Sequence, residues 1–265
     1  MYIGSNAYKT YRFGGAKHDK SGMLEFVLFS FVFLSVAVFA LAYLRDMNFV
    51  TQPGVELYKS LASKLHSAAL ETGGIENTRE WQAMRKSPHQ AKWRGRVTLF
   101  YDRLAVEEPC PYAAPEIYAR LLGRLAASHA IEYAELTFFG DSRYDPRGHS
   151  LLLHLQRAAE TLFRSRLKMP VDVYEGPAMN HSYHEMIIGH GKCFSTILIS
   201  DAYAGIEDIG HAPDYHRAQF LATVIALAQK QRPVVAIALR DLEAPTLKAL
   251  DEFFRQAAQY LPNLL

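Results

Sequence analysis

Cysteine is nearly absent: Cys110 and Cys193 are the only two in 265 residues. That is too few for a disulfide scaffold, and their spacing is not that of a zinc site, although one bond between them is open. A surplus of one charge is also missing. The 29 Lys and Arg residues face 27 Asp and Glu, a formal net charge of +2. With no block of like charge, nothing indicates a nucleic-acid partner or a charged binding tail. Catalytic signatures are equally scarce. Gly189-His190-Gly191-Lys192-Cys193 has the outline of a phosphate loop, but no Ser or Thr follows the lysine and a strand comes next where a helix is required. There is no G-x-S-x-G elbow and no His-Glu-x-x-His, so neither a hydrolase nor a zinc protease has support, and no cofactor is expected.

What the sequence does have is one long apolar run. Phe26 to Leu44 carries no charge, and its only polar side chains besides Tyr43 are Ser30 and Ser35. About 20 apolar residues at ~1.5 Å rise cross the hydrocarbon core of a bilayer. Glu25 and Arg45 bracket the run, and Tyr43 stands where an interfacial aromatic belongs. A buried core helix of this length would show a polar face. A cleavable signal peptide is the sharper rival, since Ala40-Leu41-Ala42 is similar to a cleavage box, but the preceding arm is long for an n-region. The reading is therefore a single-pass membrane protein, touching lipid through residues 26–44. Lys9, Arg12, Lys17 and Lys20 before the span, against Arg45, Lys59 and Lys64 after it, lean toward a cytoplasmic N-terminus by one residue. That margin leaves the side of the soluble domain open.

The apolar fraction of 49% leaves enough material for one ordinary core beyond the span. The organisation expected is an N-terminal arm (1–22), the membrane helix (23–45), a juxtamembrane helix and linker (46–95), and an α/β domain (96–265). Helical spacing over Val55 to Leu70 predicts the juxtamembrane helix, ended by Gly73-Gly74. Trp81 and Trp93 are expected to cover the domain's flank. From Arg96 the pattern alternates. Strands are predicted at Val97–Tyr101, Tyr133–Phe139 and Ser195–Ser200, at Val234–Leu239, and as a minor element at Val171–Tyr174. Helices are predicted at Pro115–Ala127, at Ser150–Leu162 with Ser150 as N-cap, at His216–Gln231 and at Pro245–Tyr260. Such alternation predicts a mostly parallel sheet with helices on both faces. Function in these sheets gathers beyond the carboxyl ends of the strands, and here those loops begin at Asp102, Asp141, Asp201 and Asp241.

Several segments, taken in order, resemble a known family. Arg79-Glu80-Trp81 with Arg85-Lys86-Ser87 precedes VTLFYDRLAV, and then come LTFFGDSRYDPRGHSLLLHL, ILISD and RPVVAIALRDLEAP. From Arg79 to the C-terminus this is similar to the von Willebrand factor A fold. More narrowly it resembles the bacterial family called domain of unknown function fifty-eight. The resemblance implies a metal-binding Asp-x-Ser-x-Ser after the first strand. Here Asp102 is followed by Arg103, Leu104, Ala105 and Val106, so both hydroxyls are missing and a positive charge sits beside the site. The fold is implied; the metal is not expected.

Two functions follow. The first is a non-catalytic, membrane-anchored interaction or assembly module, docking through a face made by Asp102, Arg103, Asp141, Asp201 and Asp241. The family's frequent association with MoxR-type AAA+ ATPases implies partners among the subunits of a membrane complex, that ATPase included. The alternative is a metal-binding protein or metal-dependent enzyme using His181, His184, His190, His211 and His216. A polar, histidine-rich loop is the plainer reading of that segment.

Overall fold

A computed structural model describes residues 20–45, 53–101, 111–176, 181–189, 191–202 and 212–261. The chain divides into two compact units, Met1–Thr51 and Gln52–Leu265. In the first, helix α1 (Lys20–Leu44) contains a 23-residue stretch from Gly22 to Leu44 with mean hydropathy 2.5, long and apolar enough to cross a membrane. Within it the Ser35 hydroxyl is satisfied by the helix itself, donating to the Phe31 carbonyl at 2.8 Å.

The second unit begins with helix α2 (Pro53–Thr72), a single 3-10 turn at Ile75–Asn77 and helix α3 (Arg79–Arg85). The sheet then opens with the hairpin β1 (Gln90–Trp93) and β2 (Val97–Phe100). Next come helix α4 (Ala114–Ala127), β3 (Tyr133–Phe139), and helix α5 (Pro146–Ala158), which continues as a π-helix over Ala159–Leu167. The chain ends with β4 (Val171–Gly176), α6 (His181–Gly189), β5 (Cys193–Ser200), α7 (Pro213–Gln229), β6 (Val234–Leu239) and α8 (Ala244–Tyr260). Much of the stretch 46–95, read from sequence as juxtamembrane helix and linker, thus lies inside this compact unit and supplies it with α2, α3 and β1.

The six strands run in the order β1-β2-β6-β5-β3-β4. The four from β6 to β4 are parallel, whereas β1–β2 and β2–β6 are antiparallel. The central strands are buried on both sides because both faces are covered, and most of their side chains are apolar. Leu136, Phe138, Phe194, Leu198 and Ile237 pack with Tyr118, Leu155 and Phe253 from α4, α5 and α8. Phe139, Ile197, Ile199 and Ala238 point the other way and pack with Leu65, Trp81, Ile188 and Phe220 from α2, α3, α6 and α7.

Three expectations change. Helix α5 is capped by Asp145, whose carboxylate accepts the Arg147 N–H at 2.9 Å, and not by Ser150, because Pro146 already presets the first turn. The segment from His181 to Gly189 is a helix and not a loop, anchored by the buried Ile187 and Ile188. Strand β2 belongs to the sheet but runs against its neighbour β6, with Val97 opposite Leu239 and Phe100 opposite Ala236. Cys193 is a free, buried thiol.

Candidate functional site

The strand order fixes where the chain can build a site. From β3 the chain crosses over α5 to β4 on one side, then over α6 to β5 on the other. The loops leaving β3 and β5 therefore diverge, and the crevice between their carboxyl ends is the switch point at which such sheets bind ligands. Gly140, Asp141 and Ser142 stand on one side of it, and Ser200 and Asp201 on the other. Asp241 follows the adjacent end of β6. Because β2 runs against β6, its own carboxyl end points toward the amino end of that strand. Asp102 and Arg103 follow β2 and lie outside the described residues, so the face is built here from Asp141, Asp201 and Asp241.

Each of these aspartates is committed to a separate set of partners. Asp141 Oδ1 accepts the N–H groups of Arg143 and Tyr144, both at 2.9 Å, closing a tight turn. The turn is pinned from below. A Cβ on Gly148 would stand 1.8 Å from the Asp141 carbonyl oxygen, so only glycine lets the first turn of α5 approach this closely. Beside it, the Ser142 N–H donates to Glu175 Oε2 at 3.0 Å, its hydroxyl donates to the same oxygen, and Arg143 lies 3.6 Å from Oε1.

Asp201 carries the most specific contact on the face. Arg85, at the end of α3, donates to both carboxylate oxygens at 3.1 and 3.0 Å, the fork-on-carboxylate geometry that is strongest for such pairs. The guanidinium also lies 5.9 Å from the Trp81 ring centre and 5.7 Å from that of Phe100. Arg217 of α7 donates to the Asp201 carbonyl at 2.8 Å. Asp241 Oδ1 accepts the Glu243 N–H at 3.1 Å and the Thr246 hydroxyl, so it closes the first turn of α8. Burial pushes its carboxyl up, but the bonds from Thr246, Glu243 and Arg240 outweigh that and hold it below the usual carboxylate range. The Ser200 hydroxyl is buried with no hydrogen-bond partner.

The rim is different in kind. Tyr144 is 83% exposed. Arg143, Arg147 and Arg240 have side chains that are 65%, 60% and 62% exposed. Arg147 reaches Asp145 and Glu243 and so links the starts of α5 and α8.

The histidine set does not assemble on the described part of the chain. His190 and His211 lie outside it, as do the side chains of His181 and His184. His216 is buried in α7 with its ring 5.6 Å from that of Tyr215. Among the described residues, no group of three or more His, Cys, Asp or Glu is placed to hold a metal ion. Arg85, Arg217, Ser142 and Glu175 were not singled out by the sequence. Arg85 sits in the Trp-centred stretch before the first strand, but its partner is 116 residues away, and local pattern does not reveal such a pairing. No protein-family model matches the chain, and no curated protein or solved structure matches it either.

Proposed function

We propose that this protein is a membrane-anchored, non-catalytic interaction or assembly module that docks a partner through the carboxyl-end face of its sheet. The observation that carries the reading is the Arg85–Asp201 pair. An arginine laid on the carboxylate at the switch point fills the place where a hard cation would need free oxygens. Asp141 and Asp241 are likewise turned inward to hold the backbone, which makes the face rigid. Around these fixed groups the exposed side chains include a tyrosine and three arginines, the residue types enriched where proteins meet, with Glu243 paired to Arg147 among them. Helix α1 supports anchoring by its length and uniform apolarity.

The partner class comes from the resemblance to the von Willebrand A-like family: subunits of a membrane complex, a MoxR-type AAA+ ATPase among them. Two departures limit what is carried over. The loop after β2 lacks the serines of the family's metal site, and β2 is antiparallel to β6. The proposal therefore uses the family's partners and not its metal.

The test is co-purification of the tagged full chain from detergent-solubilised bacterial membranes. Reversing Arg143, Arg147 and Arg240 to Glu should remove the co-purifying subunits while the chain stays folded and in the membrane. Partners that persist through this reversal, or saturable magnesium binding by the unaltered chain, would contradict the reading.

A further inference from the structure

Helix α2 is held to the rest of its unit in an unusual way. One stripe, Val55, Tyr58, Leu65 and Ala69, is buried, and it packs beside α7 and α6. Both ends are clamped by carboxylates from distant elements. At the start, Glu185 of α6 accepts the N–H groups of Gly54 and Val55 at 2.8 and 3.1 Å, satisfying two donors that a helix leaves open. Gly54 is needed there, since a Cβ would sit 3.0 Å from Glu185 Oε2 and 3.1 Å from Ile188 Cβ. Just past the other end, Asp214 of α7 accepts the Ile75 N–H at 3.1 Å.

Between the clamps the packing is incomplete. A cleft of about 330 Å³, lined by Tyr58, Ala62, His66, Leu70, Tyr215 and Gln219, runs between α2 and α7. Two buried polar atoms here, His66 Nδ1 and Gln219 Oε1, have no hydrogen-bond partner, so their desolvation is not repaid. The helix then ends on Gly73 and Gly74, both at positive φ (76° and 147°), which gives the chain a pivot. The sheet beneath is closed by contrast: β5 is buried along its whole length and hydrogen-bonded to strands on both sides.

We infer that α2 is a strap that opens from α7 and α6 as a unit while the sheet stays folded, with the Glu185 carboxylate as its latch. An open cleft and buried polar atoms left without partners lower the free energy of local opening, so the end-clamps decide whether the helix stays closed. Opening swings α2 about Gly73-Gly74 and bares the α7 strip that includes Ala218 and Leu221.

Hydrogen exchange read by mass spectrometry on the full chain in detergent micelles tests the inference. Amides of 57–70 are expected to exchange at least tenfold faster than those of β5. Glu185→Gln weakens the cap and should speed α2 exchange by about 3- to 30-fold, the range spanned by losing such a cap. Gly54→Ala, which pushes Glu185 away without removing its charge, should do the same, and neither should change β5. Equal rates for α2 and β5 in the unaltered chain would overturn the strap. Variants that leave α2 unchanged, or that speed α2 and β5 together, would overturn the latch.

Discussion

Removing Arg85 gives the sharpest energetic test of the strand-end face. The two side chains of the Arg85–Asp201 pair are each 33% exposed, so the contact is neither a free surface ion pair nor a fully buried one. Exposed pairs are worth about 0–1 kcal/mol, and hydrogen bonds to charged groups about 1.5–3 kcal/mol when shielded. A bidentate pair at this intermediate exposure should contribute about 1–1.5 kcal/mol of coupling. The stacking of the guanidinium near Trp81 and Phe100 adds about 0.5–1 kcal/mol, so Arg85→Ala should lose about 1.5–2.5 kcal/mol in all. With a urea slope of about 2 kcal/mol per molar, the unfolding midpoint in non-ionic micelles should fall by about 1 M. A cycle with Asp201→Ala isolates the coupling. A coupling below about 0.3 kcal/mol would mean that the pair is incidental and that Asp201 is free for other ligands.

Other perturbations have defined outcomes. Gly148→Ala drives a Cβ into the Asp141 carbonyl and should cost at least 1–3 kcal/mol, read as a lowered unfolding midpoint. Tyr118 and Thr196 share a buried hydrogen bond at 2.9 Å; Tyr118→Phe should cost about 1–2 kcal/mol by the same measurement. Burial, reinforced by the Glu135 carboxylate, pushes the Cys193 thiol well up. Peptide mapping after iodoacetamide at neutral pH should therefore find Cys193 unmodified until the chain is unfolded. Asp241 is depressed in the folded state. Its stabilisation is present above the unfolded value of about 3.9 and is lost as pH falls through the lower folded value. The stability gap between the native chain and Asp241→Asn should thus be open at pH 7 and close below about pH 4.

The parts of the fold that were legible in the sequence are those whose cause is local. Tyr133–Phe139 and Val234–Leu239 are apolar runs between breakers and are strands over those spans. Helices α4 and α8 each begin with a proline in the first turn, as their sequences indicate. What escaped depends on distant partners. A five-residue apolar run reads the same in either direction, so the reversal of β2 is set by its pairing with β6 and not by its own residues. Strand β1 is a polar edge segment, held by the Trp93 indole donating to the Ala249 carbonyl at 3.1 Å. The N-cap of α5 was misread because Ser150 and Asp145 are both good caps, and only the Pro146 that follows Asp145 decides between them. The site was legible to the same degree. Strand ends marked Asp141, Asp201 and Asp241, but their commitment to a turn, to Arg85 and to α8 comes from three-dimensional neighbours.

The central claim is that the strand-end face, and not the rest of the domain surface, meets the partner. Photo-crosslinking in intact membranes tests it most directly, with a benzoylphenylalanine replacing Tyr144 on that face. The control replaces the exposed Lys230, which lies just before β6 at the opposite end of the sheet. The account predicts a discrete adduct of higher mass from position 144 and none from position 230. An adduct from 230 alone, equal adducts from both, or none from 144 would contradict it.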